Sequence, residues 1–178
     1  MNETFAKAVV TLKAEFMKRN ESTSHIYEII PTLPESFSID KHELEMLHKF
    51  AENNSIYAGS YEMKILDTVC KVYHGDVNNY WLDSIKHDTS YAPFYPVWIL
   101  SAYVLALQSK SLGAKQIIDI GSGDGRIAYC AKVTGLQSYG IEIDENLVSL
   151  EKKIVSSTEI NFKPMMADAT QFDYTSIE

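Results

Sequence analysis

Apolar residues recur at helical spacing near the start of the chain. Phe5, Val9, Leu12 and Phe16 line one face, with Lys7, Lys13 and Lys18 among the polar positions, and predict an amphipathic helix over 2–19. Residues 25–37 carry two prolines and break that pattern; Ile26 to Ile30 fits a short strand or an extended crossing segment equally well. Asp40 reads as an N-cap, with Glu43 three residues on as the second half of a capping box. Leu44, Leu47 and Phe50 mark the inner face of the helix that follows, which ends near Asn54. Ser60 is placed to cap a further helix, with Met63, Leu66, Val69 (or Cys70) and Tyr73 inward and Gly75 as its stop. A shorter helix is expected over 78–86, with Trp81, Leu82 and Ile85 apolar. Residues 1–90 therefore read as a mostly helical N-terminal region. They hold no repeat or detachable linker and are expected to lie against what comes next.

The pattern changes after a buried helix expected over 97–107 and ended by Leu112-Gly113. Ile117-Ile118-Asp119-Ile120 is a short apolar run with the look of a buried strand. The turn Gly121-Ser122-Gly123-Asp124-Gly125 follows, then a helical segment over 126–134 stopped by Gly135. A second strand over 138–143 ends in acids. Asp144 caps a helix over 145–156 with Leu147, Leu150 and Ile154 inward, and 161–167 is a third strand. Strand, glycine turn, helix, strand is a βαβ unit, and parallel sheets of this kind bind ligands at the C-terminal ends of their strands. The fold class is α/β: a Rossmann-like sheet over 91–178 behind a mostly helical region over 1–90.

The glycines narrow the ligand. A tight turn needs residues free to take positive φ, and close approach of a ligand needs no Cβ in the way. A dinucleotide fingerprint is G-x-G-x-x-G, and its third glycine would fall at Arg126. Here the spacing is G-x-G-x-G, with Asp124 inside the loop, where it would oppose a pyrophosphate. A positively charged ligand without phosphate suits it better. Glu142, at the end of the second strand, can accept from both hydroxyls of a ribose. Asp168, after Met165-Met166-Ala167, can accept from an adenine amino group.

IDIGSGDGRI, GIEIDENLV and ADAT resemble motifs I, II and III of the class I S-adenosylmethionine-dependent methyltransferases. The resemblance runs from about Tyr91 to Phe172. A closer likeness is to the archaeal protein-lysine methyltransferases and the related non-SET histone-lysine methyltransferases. Those place a Y-x-P-[FT]-x-P-like loop one helix before motif I, where this chain has Tyr91-Ala92-Pro93-Phe94-Tyr95-Pro96. The resemblance implies S-adenosylmethionine as cofactor, held by Asp119, Gly121, Ser122, Gly123, Gly125, Glu142, Asp168 and Ala169. It implies a lid or lysine channel at Tyr91, Pro93, Phe94 and Tyr95. The plainer reading of that loop is a helix start pinned by Pro96. Arg126 is expected in solvent or against an acid, and Asp124 in the turn.

A sheet of that family has seven strands, with the fourth beside the first, and about three are expected here. Ile117 to Ile120 then becomes an open edge, and apolar edges are rarely left bare. The expectation is a portion of a longer protein, or an edge covered by another chain or by the N-terminal region. No acceptor-side catalytic residue is assigned. The favoured acceptor is a protein lysine, with RNA or a small molecule behind it. A noncatalytic cofactor-binding or partner module stays open, and a nicotinamide enzyme is disfavoured by the loop spacing.

Composition changes little. The chain has 178 residues, 46% hydrophobic and 22% charged, with a formal net charge of −8. The acidic balance argues against a nonspecific grip on nucleic acid and suits basic protein partners. Cys70 and Cys130, both in helical patterns, read as small buried hydrophobes. No ligand spacing suggests a metal. No signal peptide or membrane span is visible, so a cytoplasmic protein is expected.

Overall fold

A computed structural model of the chain describes residues 3–20, 25–76 and 94–177. The first helix, α1 (Glu3–Arg19), buries Val9, Leu12 and Phe16, as its spacing predicts. Helix α2 (Lys41–Asn53) starts on Asp40, whose carboxylate accepts from the backbone N–H groups of His42 and Glu43. Leu44, Leu47 and Phe50 face inward. The Glu43 carboxylate accepts from the Tyr103 hydroxyl, which fastens this helix to the rest of the core.

The segment after Ser60 is a hairpin where a helix was expected. Strands β2 (Gly59–Ile65) and β3 (Thr68–Asp76) join through Leu66-Asp67, and β1 (His25–Pro31) pairs with the other side of β3. All pairs are antiparallel, in the order β1-β3-β2. The helical reading rested on Met63, Leu66, Val69 or Cys70, and Tyr73, yet Leu66 and Val69 are exposed. The buried positions that decide are Ile65, Cys70 and Val72, with β-branched residues that suit a pleated surface. Gly75 is no helix stop either. It lies within β3, where a Cβ would stand 1.8 Å from the carbonyl oxygen of Ile56. Cys70 accordingly sits on a strand, though it is buried and free like Cys130. The helix expected over 78–86 lies outside the described residues.

Helix α3 (Ile99–Ser111) leads into the second sheet. That sheet is β4 (Gln116–Ile120), α4 (Arg126–Val133), β5 (Gln137–Glu142), α5 (Glu145–Thr158) and β6 (Lys163–Met166), with strands parallel in the order β4-β5-β6. Asp144 caps α5, accepting from the N–H groups of Asn146 and Leu147. One hydrophobic core joins the two sheets: Phe50 of α2 meets Tyr129 of α4 at 4.9 Å between ring centres, and Tyr129 meets Phe162 edge-on. The Tyr129 hydroxyl donates to the carbonyl of Met46 at 2.8 Å. Among the described residues β4 is an edge of its sheet, and Ile120 at its end is exposed. Among the described residues no helix is long and apolar enough to cross a membrane.

Candidate ligand-binding site

The parallel sheet places three chain reversals side by side. After β4 the backbone turns through Gly121, Gly123 and Gly125, with φ of 72°, 60° and 78°, the left-handed region that glycine enters without penalty. The loop is tied to the neighbouring strand: Gly121 N–H donates to the carbonyl of Ile141 at 2.8 Å. From beneath, the Ser122 hydroxyl donates to Glu151 of α5 at 2.6 Å. Gly140 of β5 leaves room for that bond, since a Cβ there would stand 2.8 Å from Ser122 Oγ.

Above this loop is a cavity of about 390 Å³. Its walls are Asp119 and the turn from Gly121 to Asp124 on one side and Glu142, Ile143, Asp144 and Leu147 on another; Phe94 to Val97, with Arg126 and Ile127, complete it. Asp119, Gly121, Ser122, Gly123, Glu142, Phe94 and Tyr95, all singled out in the sequence, therefore meet in one place. Gly125 is buried at the start of α4 beneath them, where a Cβ would stand 2.6 Å from Phe162. Tyr91 and Pro93 lie outside the described residues. Asp168 and Ala169 do not line the cavity. The Asp168 carboxylate is exposed just past β6 and accepts from the N–H and hydroxyl of Thr170, which hold it below the usual carboxylate range. Pro96 lies ahead of α3 rather than in its first turn, and Trp98 takes the N-cap position.

Glu142 is tightly committed. Its Oε2 accepts from Gly123 N–H at 2.8 Å, and Oε1 accepts from the N–H groups of Ile143 and Asp144 at 2.8 and 3.0 Å. A carboxylate offers about four lone-pair directions. Without rearrangement one remains, on Oε2, so the carboxylate can take one ribose hydroxyl directly where the sequence suggested two.

The electrostatics follow from burial. Asp119 is pushed up to about 6, first by burial and then by the nearby carboxylates of Asp124 and Glu142. Glu151 is pushed up to about 8 by burial, against the opposing bond from Ser122. Its second oxygen is buried without a hydrogen-bond partner, as is the Ser138 hydroxyl. Arg126 is the cation among the described lining residues, and it is buried and engaged with acids: Nε and Nη2 clamp Asp124, and Nη1 pairs with Glu28 at 3.2 Å. Of the two positions the sequence left open for this side chain, the structure takes the acid pairing. Sequence reasoning found neither Glu28 as its partner nor Leu147 and Ile143 in the lining, since only the folded chain brings those residues to the loop. Among the described residues no group of His, Cys, Asp or Glu is arranged to hold a metal.

No protein-family model matches the chain, and no curated protein matches it. Solved structures do resemble it. TehB from Haemophilus influenzae is 18% identical over 57% of this chain and 32% of its own, with a TM-score of 0.34. The tRNA (uracil-54, C5)-methyltransferase of Pyrococcus abyssi, solved in complex with S-adenosyl-L-homocysteine, is 18% identical over 46% of this chain and 21% of its own, with a TM-score of 0.38. The chain thus spans less than half the length of either protein. The reading of the site rests on its own geometry.

Proposed function

We propose that this chain binds S-adenosylmethionine and supplies the cofactor-binding part, residues 91–178, of a methyltransferase. The observation that carries the reading is the acidic cavity at the C-terminal ends of β4 and β5. Asp119, Glu142 and Asp144 line it beside the glycine turn, and its guanidinium is already neutralised by Asp124 and Glu28. A pyrophosphate would face those carboxylates with no free cation among the described lining residues. A ligand with a cationic centre, an ammonium group and no phosphate is matched by them. Gly121, Ser122 and Gly123 allow the backbone to approach the amino-acid portion, and Asp119 attracts its ammonium. Glu142 takes a ribose hydroxyl. Asp168 and Ala169 follow β6, next to the strand that ends in Glu142, and are assigned to the adenine.

When bound, the cofactor supplies a methyl group already activated on a sulfonium. The chain's part is to orient it and to keep water out. Phe94 and Tyr95, with Tyr91 and Pro93 before them, are assigned to the wall on the acceptor side. The favoured acceptor is a protein lysine. A basic partner suits the acidic lining and the net charge of −8, and the exposed Tyr95 offers an aromatic face to a cation.

Calorimetric titration with S-adenosylmethionine, S-adenosylhomocysteine and NAD tests the reading. Saturable binding of the first two, weakened about tenfold or more in Glu142→Ala, is expected. Binding of NAD in their place overturns it. Transfer of labelled methyl to a basic peptide, lost when its lysines are replaced by arginine, tests the acceptor; transfer to RNA or a small molecule instead reassigns it.

A further inference from the structure

Glu28 stands on β1, in a sheet that contributes none of the residues lining the cavity, yet its carboxylate is bonded to the framework of two cavity walls. Oε2 accepts from the N–H of Ile99 at 2.8 Å and from Arg126 Nη1 at 3.2 Å; the Tyr57 hydroxyl lies 3.5 Å away. Oε1 accepts from its neighbour Ile29 N–H at 3.2 Å, which fixes the carboxylate to the strand. Arg126 then divides its donors between the walls. Nη1 also donates to the carbonyl of Val97. Nε donates to Asp124 Oδ1 at 2.8 Å, and Nη2 to Asp124 Oδ2 and the Tyr57 hydroxyl. Asn54, just past α2, donates to the same Asp124 oxygen at 2.8 Å.

The side chains of Glu28, Arg126 and Asp124 are 0%, 4% and 1% exposed, so water cannot replace any of these bonds. In such surroundings a hydrogen-bonded network is rigid, and an unpaired member is costly. The two segments it grips are the ones whose spacing defines the cavity. Val97 and Ile99 anchor the wall that carries Phe94 and Tyr95. Asp124 anchors the turn that carries Gly121 to Gly123. The walls also touch directly, since the Phe94 ring lies against Gly123.

We propose that Glu28 is a positioning residue for the cavity: through Arg126 it holds the glycine turn and the Phe94–Val97 wall at the separation the ligand requires. The N-terminal sheet thereby sets the affinity of a site it does not touch. The ligand arm of the test rests on the cofactor reading given above; the geometric arm does not.

Hydrogen exchange of the whole chain, wild type against Glu28→Gln, is the geometric arm. The Ile99 amide and the amides of 121–126 are expected to exchange about tenfold faster or more, while those of β3, such as Val72, keep their rates. Uniform acceleration throughout the chain would show a loss of global stability only and would overturn the proposal. Tyr57→Phe, which deletes one hydroxyl between Glu28 and Arg126, is the milder companion; it should loosen the same two segments to a smaller degree, and it decides the matter should Glu28→Gln not fold. In the ligand arm, S-adenosylhomocysteine is expected to bind Glu28→Gln about tenfold or more weakly with unchanged stoichiometry. If wild type itself does not bind, the cofactor reading fails and the exchange pattern still decides the positioning role. Unchanged exchange in both variants overturns it.

Discussion

The Phe94 ring closes against the bare α-carbon of Gly123: a β-carbon built there would stand 2.4 Å from Cε2 of the ring. Gly123 also holds φ of 60° while its N–H donates to Glu142. Gly121 has a similar φ of 72° but open space around its missing side chain. The two glycines therefore separate backbone strain from crowding. Gly121→Ala should cost about 1–2 kcal/mol, the usual penalty for a left-handed alanine. Gly123→Ala should cost more, because the Phe94 ring must move as well, and it should lose ligand binding in the same step. Denaturant unfolding of both variants, with S-adenosylhomocysteine titration, checks the order.

On the proposed reading, Asp119 should give ligand binding a pH dependence. Burial and the neighbouring carboxylates raise it to about 6, and a cationic ligand prefers the ionised form. Affinity for S-adenosylhomocysteine should therefore rise as pH increases through about 6 and level off above it. Asp119→Asn should bind more weakly at neutral pH and show a flatter profile. An unaltered profile in that variant would remove Asp119 from the ligand's surroundings.

Glu151 should govern stability at higher pH. It is fully buried, and its folded value of about 8 stands above its ordinary value of 4.5. Between those values the folded chain holds a proton that the unfolded chain has released. Stability is therefore greatest at the acid end of this window and falls as pH rises, by up to about 1.4 kcal/mol per pH unit from this group. Glu28, raised to about 7, and Asp119, raised to about 6, add to the lower part of the fall. Glu151→Gln keeps the shape and should remove the upper part, which chemical unfolding at a series of pH values will show.

Leu66 is an inexpensive place to stabilise the molecule. It is half exposed, has φ of 53°, and takes the first position of the two-residue turn between β2 and β3. Glycine is the residue that tight hairpin turns favour where φ is positive. Leu66→Gly should relieve about 1–2 kcal/mol of left-handed strain against about 0.4–1 kcal/mol of added unfolded-chain entropy, a net gain read as a higher denaturant midpoint at unchanged slope. A lower midpoint would show that the Leu66 side chain has a packing role its exposure conceals.

Much of the architecture is local and could be read in the chain. The glycines at 121, 123 and 125, the cap at Asp144 and the inward faces of α1, α2 and α5 depend on neighbours within a few residues. Spacing alone therefore placed them, together with Asp119 near the end of β4 and Glu142 at the end of β5. The segment from Ser60 to Gly75 was misjudged because its apolar residues fit two periods at once. The hairpin turn exposes Leu66, and pairing with β1, about forty residues away in sequence, takes in Cys70 and Val72, which are buried. The fate of Arg126 was likewise not local. A guanidinium after a glycine turn reads as a surface group or an ion-pair partner, and choosing between them requires Glu28, 98 residues earlier. The chain by itself determined the glycine turn that lines the cavity, because backbone sterics are set by adjacent residues. The tertiary structure decided what holds that turn in place, because a buried charge can be kept only where the fold brings its partners to it.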